Sequence, residues 1–254
     1  MGMTRRVWPV LLLLAALGFA AGCGEEEAAG PAIPVGSDVP ANLFENGSFE
    51  RKDGQPWISL TTEAWGTPFK VTSEAAHSGE HSALLEMRAG PEDTGTTVFG
   101  VVQEIAPDDF PEVLSGYYRV SDWSRGTEKQ YLQFVVIVWG ATNLPPEFAN
   151  HQIRYPLAGI SEPPFAITNA KFRFIDTAEP ATDEWVYFQR PIRQDFQELW
   201  GAAPTGFSEL RILFEARYDD KSPASELRAD VFYDDLYVGP AEADPNEPEK
   251  AQTR

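Results

Sequence analysis

Asn46-Gly47-Ser48-Phe49-Glu50, reached through Asn42-Leu43-Phe44, opens the part of the chain that reads as folded, and Asp230 to Val238 closes it. Between these ends, apolar residues recur at every second position in short runs separated by turn residues, the pattern of half-buried strands. Strands are predicted at 43–50, 69–72, 82–87, 97–105, 113–120, 130–139, 151–155, 171–175, 185–192, 209–216 and 230–238. Helix is confined to about one turn at 195–200, where Gly201 is placed to end it. Long irregular stretches are expected at 140–150, 158–170 and 176–184, and loops of that length are commonly functional.

Alternation assigns faces. Leu132, Phe134, Val136 and Val138 form one wholly apolar face, and Leu210, Ile212, Phe214 and Ala216 are its expected counterpart across a sandwich. In the closing strand the same rule places Asp234 on one face with Phe232, Leu236 and Val238, so a carboxylate enters the core and needs a partner. Glu50, at the end of the opening strand, is an acidic residue able to share a cation with it.

Length and charge bound the rest. The 254 residues contain 43% hydrophobic and 12% aromatic residues, 20 Gly and 21 Pro, which suits one turn-rich β domain over 41–240. The formal net charge is −19, and removing residues 1–22 takes away Arg5 and Arg6 and leaves −21. Such a chain avoids nucleic acid. Residues 1–22 read as an export signal: a basic start, an apolar run from Val7, and Ala20-Ala21-Gly22 before Cys23, the only cysteine. These residues look like a bacterial lipobox, in which the Cys23 thiol is lipidated and anchors the protein to a membrane of the cell envelope; Gly24 after it suits outer-membrane sorting. Residues 23–40 read as a disordered tether and 241–254 as a disordered acidic tail.

Asn42-Leu43 through Asn46-Gly47-Ser48-Phe49-Glu50, then Trp57, then Ala76-His77-Ser78-Gly79-Glu80-His81-Ser82, and finally Tyr233-Asp234-Asp235-Leu236 resemble the start, first loop and end of carbohydrate-binding modules of the galactose-binding-like jelly-roll superfamily. The resemblance implies an all-β jelly-roll sandwich, often with a structural calcium ion joining the terminal strands, and a glycan or a protein as ligand.

Two sites follow as expectations. A calcium ion would be held by Glu50 and Asp234, by carbonyls near Ser48 and His77, and by Glu74, since calcium takes six to eight hard oxygens in irregular geometry. The alternative is that Asp234 caps a loop amide and Glu50 is solvated. A glycan would stack on Tyr117, Tyr131 and Trp139, with Gln133 and Arg119 meeting its hydroxyls. The alternative is that the loops at 140–184 cover this face. His77 and His81 stand four apart, but Ser78-Gly79 breaks the helix that would align them on zinc. No hydrolase, phosphate-loop or dinucleotide motif occurs, and Asp219-Asp220 and Asp183-Glu184 lie in turn-like stretches. The expectation is a non-catalytic envelope lipoprotein with a carbohydrate-binding domain, against a structural or protein-binding domain on the same scaffold, with an unrecognised glycan hydrolase third.

Overall fold

The computed structural model describes residues 41–59 and 69–247. The signal segment, Cys23 and the tether lie outside them. The elements in chain order are β1 (Ile58–Ser59), β2 (Lys70–Thr72), β3 (Ser82–Ala89), β4 (Gly95–Ile105), β5 (Val113–Ser124), β6 (Lys129–Trp139), β7 (Asn150–Ala158), β8 (Ala170–Phe172), β9 (Trp185–Arg190), α1 (Ile192–Trp200), β10 (Glu209–Lys221) and β11 (Leu227–Gly239). They form a six-stranded sheet in the order β1-β4-β10-β6-β7-β8 and a five-stranded sheet in the order β2-β3-β11-β5-β9. Strands β3 to β6 alternate between the sheets, as do β9 to β11, and the long strands pair antiparallel. This is the jelly-roll sandwich that the sequence predicts.

The core lies between the sheets. Phe214 of one sheet meets Tyr233 of the other with ring centroids 5.4 Å apart, and the Tyr233 hydroxyl crosses to donate to the Glu215 carbonyl at 3.0 Å. Helix α1 ends at Gly201, whose φ of 88° is the left-handed C-terminal conformation.

Four expectations change. The stretch 43–50 is an irregular clasp on β11. Asn46 and Phe49 have φ of 53° and 55°, which a strand does not tolerate. Asn42 uses its side chain to accept from Val238 N and to donate to the Leu236 carbonyl, displacing ladder bonds. Phe44, Phe49 and Trp57 from this region plug the end of the core, all nearly or wholly buried.

Second, β11 changes phase. Its register against β5 shifts between Asp234 and Tyr237, and Asp235 has φ of 48°. This is a β-bulge, which advances the alternation by one residue. Tyr233, Leu236 and Val238 therefore pack in the core, and Asp234 lies outside it, on the outer face with Phe232. Third, β6 and β10 are hydrogen-bonded neighbours, Val136 opposite Ile212 and Phe134 opposite Phe214, so the two apolar faces lie side by side rather than across the sandwich. The facing layer includes Leu85, Tyr118 and Val231.

Fourth, residues 241–247, expected as part of a tail, fold back on the five-stranded sheet. Asp244 accepts from Ser115 Oγ and Gln189 Nε2, both at 2.8 Å, and Asn246 donates to the Asp235 carbonyl at 2.7 Å. The remainder of the expected tail lies outside the described residues.

Candidate functional site

Of the five residues expected to hold calcium, Glu50, Asp234 and His77 meet at one loop, but around amides, whereas Ser48 and Glu74 do not join them. The loop 77–81 lies between the two chain ends. Asp234, wholly buried, accepts from His77 N at 2.7 Å and Ser78 N at 3.3 Å with one oxygen, and from Asp235 N at 2.7 Å with the other. Glu50 accepts from Glu80 N at 2.9 Å and His81 N at 3.1 Å, and its second oxygen lies 3.3 Å from His81 Nδ1. Asp235 completes the clamp, holding His77 Nδ1 and Ser78 Oγ at 2.7 Å each. Gly79 is required, since a Cβ there would lie 2.2 Å from a Glu50 oxygen and its φ is 64°.

One oxygen of each carboxylate, Asp234 Oδ2 and Glu50 Oε1, is already filled by two backbone N–H groups. Glu74 is exposed, Ser48 brings no further carboxylate, and among the described residues no group of three His, Cys, Asp or Glu is placed to hold a metal. This donor set does not fit calcium. The carboxylates do the joining themselves, as amide caps from both chain ends; Asp234 matches the capping alternative, and Glu50 is clamped rather than solvated. Burial and the adjacent Asp235 carboxylate push the Asp234 carboxyl well above the usual carboxylate range, while its three amide bonds pull it down.

The expected glycan residues do not share one face. Tyr117 and Arg119 lie on β5 of the five-stranded sheet, whereas Tyr131, Gln133 and Trp139 lie on β6 of the six-stranded sheet. Tyr117 is stacked under the His77 ring with centroids 3.5 Å apart, and Arg119 pairs with Asp183 at 3.2 Å. Alternation reveals which side chains share a strand face, but it does not say which sheet the strand joins.

On the six-stranded sheet, the outer face of β6 meets those of β4, β7 and β10. Val102, Leu213 and Val135 form a small buried cluster there, away from the main core, with half-buried Ile137 against it. This apolar strip on the outer side of the sheet is itself covered, each of the three residues being 4% exposed or less. At one end stands half-buried Trp139, with the Arg211 guanidinium 5.9 Å from its ring. Arg211 is anchored by Glu104 at 2.5 Å and Glu209 at 3.2 Å. At the other end lie Tyr131, Gln133, Arg154, Glu215, Arg217 and Asp219, with Phe165 from the loop after β7 above them.

Tyr131 does not offer its ring to a ligand. It is fully buried, donates to Asp219 at 2.9 Å and lies beneath Arg217, and burial raises its hydroxyl far above the ordinary tyrosine range. Gln133 donates to Glu215 at 2.5 Å and leaves its Oε1 without a partner. Trp139 Nε1, Arg211 Nε, Arg154 Nε and Arg154 Nη1 are likewise buried and unpartnered. Five such atoms lie on this face, beside six elsewhere among the described residues, on Arg119, Trp123, His151, Tyr155 and Tyr187. Arg154, Arg211 and Phe165 were not expected from the sequence. The polar alternation Gln152, Arg154 within an apolar strand was the available signal.

No family model matches the chain, and no curated protein matches it. Among solved structures, the chain is similar to TmCBM61 in complex with β-1,4-galactotriose, at 14% identity, covering 78% of this chain and 97% of that one with a TM-score of 0.40. It is similar to CBM28, a non-crystalline cellulose specific carbohydrate-binding module, at 11% identity over 84% of this chain and 97% of that one, TM-score 0.37. It is also similar to the enzymatically active domain of bacteriophage CBA120 tailspike protein 4, at 11% identity over 80% of this chain and 22% of that one, TM-score 0.42.

Proposed function

We propose that this protein is a non-catalytic carbohydrate-binding domain, carried on an exported lipoprotein that Cys23 anchors in the cell envelope, at the outer membrane. The outer face of the six-stranded sheet is its binding surface. The observation that carries this reading is the combination, on one sheet face, of a half-buried tryptophan and orphaned hydrogen-bonding atoms. Sugar rings present an apolar face to the first and hydroxyls to the second. The paired-carboxylate geometry of a glycosidase finds no support on this face: Glu104 and Glu209 are tied to Arg211, and Glu215 and Asp219 to Arg217.

The test is affinity electrophoresis against a panel of soluble polysaccharides. Binding that is lost in Trp139→Ala and kept in Tyr117→Ala supports this face. Binding lost only in Tyr117→Ala moves the site to the five-stranded sheet, and retention of no polysaccharide overturns the reading. The anchor has its own test: Cys23→Ser should leave the precursor unprocessed and the protein free of acyl chains.

A further inference from the structure

Arg154 is the unusual group on this face. Its neighbour Arg217 is saturated, with Asp219 at 2.6 Å and Glu215 at 3.7 Å. Arg154 forms no ion pair among the described residues. Its hydrogen bond is from Nη2 to Gln152 Oε1 at 3.0 Å, and Nε and Nη1 are buried without acceptors. The Glu215 and Asp219 carboxylates attract this guanidinium without forming an ion pair with it, so what it lacks is an acceptor for two buried donors. Burial also pulls its pKa below the usual arginine value. The orphans along the whole face are mostly donors: Arg154 Nε and Nη1 here and Trp139 Nε1 and Arg211 Nε at the far end, against one acceptor, Gln133 Oε1. The Phe165 ring lies 5.2 Å from the Arg154 guanidinium and 5.0 Å from that of Arg217, covering the planar cations as a sugar ring would.

We propose that Arg154 receives a carboxylate of the bound glycan, so that the ligand is an acidic, uronate-bearing polysaccharide rather than a neutral one, with Phe165 as the ring that yields to it. This rests on the glycan reading of the same face and specifies it. A carboxylate matches the guanidinium fork with two parallel hydrogen bonds and supplies the acceptors the face lacks. Bulk electrostatics do not favour it, because the net charge is −19. Retention of a polyanion by this chain therefore reports a local receptor.

The experiment measures binding of the full-length protein to polygalacturonate and alginate, to carboxyl-reduced polygalacturonate, to neutral galactan and xylan, and to dextran sulfate. The expected result is binding of at least one uronate polymer, about tenfold or more weakened by carboxyl reduction or by Arg154→Gln, and partly kept in Arg154→Lys, which retains charge without the fork. Arg154→Gln should melt at the same temperature or higher, since it removes an unpaired buried cation; a merely structural arginine would lower it. Phe165→Ala should keep or tighten uronate binding. Neutral glycans bound in a Trp139-dependent but Arg154-independent way overturn the carboxylate receptor and leave the glycan face standing. Equal binding of dextran sulfate with the same Arg154 dependence overturns the assignment to carboxylate. Binding of none of these polymers overturns the receptor together with the glycan reading beneath it.

Discussion

Replacing Asp234 by alanine strips the acceptor from three backbone amides, those of His77, Ser78 and Asp235, at 2.7, 3.3 and 2.7 Å. A hydrogen bond to a charged group contributes about 1.5–3 kcal/mol, so the two short ones together account for ~3–6 kcal/mol. The low end applies, because burial and the Asp235 carboxylate already oppose ionisation of Asp234. About 3 kcal/mol in a domain of roughly 200 residues lowers the melting temperature by about 6–12 °C. Asp234→Asn keeps one acceptor oxygen and turns an amide NH2 toward the other donor, and it relieves the repulsion from Asp235. It should lose about half as much. The assay is thermal unfolding followed by circular dichroism, for wild type and both variants, with and without chelator. Chelator is expected to move none of the three curves. A wild-type curve that falls with chelator, and a chelator effect that vanishes in Asp234→Ala, would refute the amide clamp and restore a calcium ion joining the chain ends.

Other consequences are measurable on the same instrument. His151 is buried against Trp200 and Phe148, with ring centroids at 4.8 and 5.6 Å, and burial lowers its pKa below 6.5. The unfolded chain then takes up a proton that the folded chain resists. Stability is full above about pH 6.5 and falls as pH drops, by up to about 1.4 kcal/mol per pH unit, and His151→Phe should flatten that slope; an unchanged slope would show that other groups govern it. A chain ending at Pro240 should melt below one ending at Glu247, because it loses the bonds of Asp244 and Asn246 to Ser115, Gln189 and Asp235; equal melting temperatures would show that this segment contributes nothing. Gly47→Ala should destabilise the domain, since a Cβ there would lie 2.2 Å from the Leu236 carbonyl oxygen, a backbone atom of β11 that cannot swing aside; a wild-type melting curve would show that the clasp can shift.

The strand faces were legible in the sequence because alternation is a local property. Leu132 to Val138 and Leu210 to Ala216 point into the core as their spacing requires. The glycan constellation was only partly legible. Trp139 and Gln133 do lie on the face with the orphaned atoms, but Tyr131 is sealed beneath Arg217, and Tyr117 and Arg119 belong to the other sheet. Residues 119 and 131 are close in sequence, and the turn between them carries the chain from one sheet to the other. Arg154 escaped notice because lacking an ion partner is a property of its surroundings, which sequence spacing does not contain.

By itself the sequence determined the all-β character, because period-2 patterning, turn residues and composition act over a few residues at a time. Tertiary structure decided which side of the sheet Asp234 occupies and what its carboxylate holds. One bulge, with Asp235 in the left-handed region, inverted the faces of everything after it, and the acceptors that looked ready for a cation were filled by amides of a loop more than 150 residues away in sequence. Register and long-range partners depend on where the whole chain closes, and no window of the sequence carries that information.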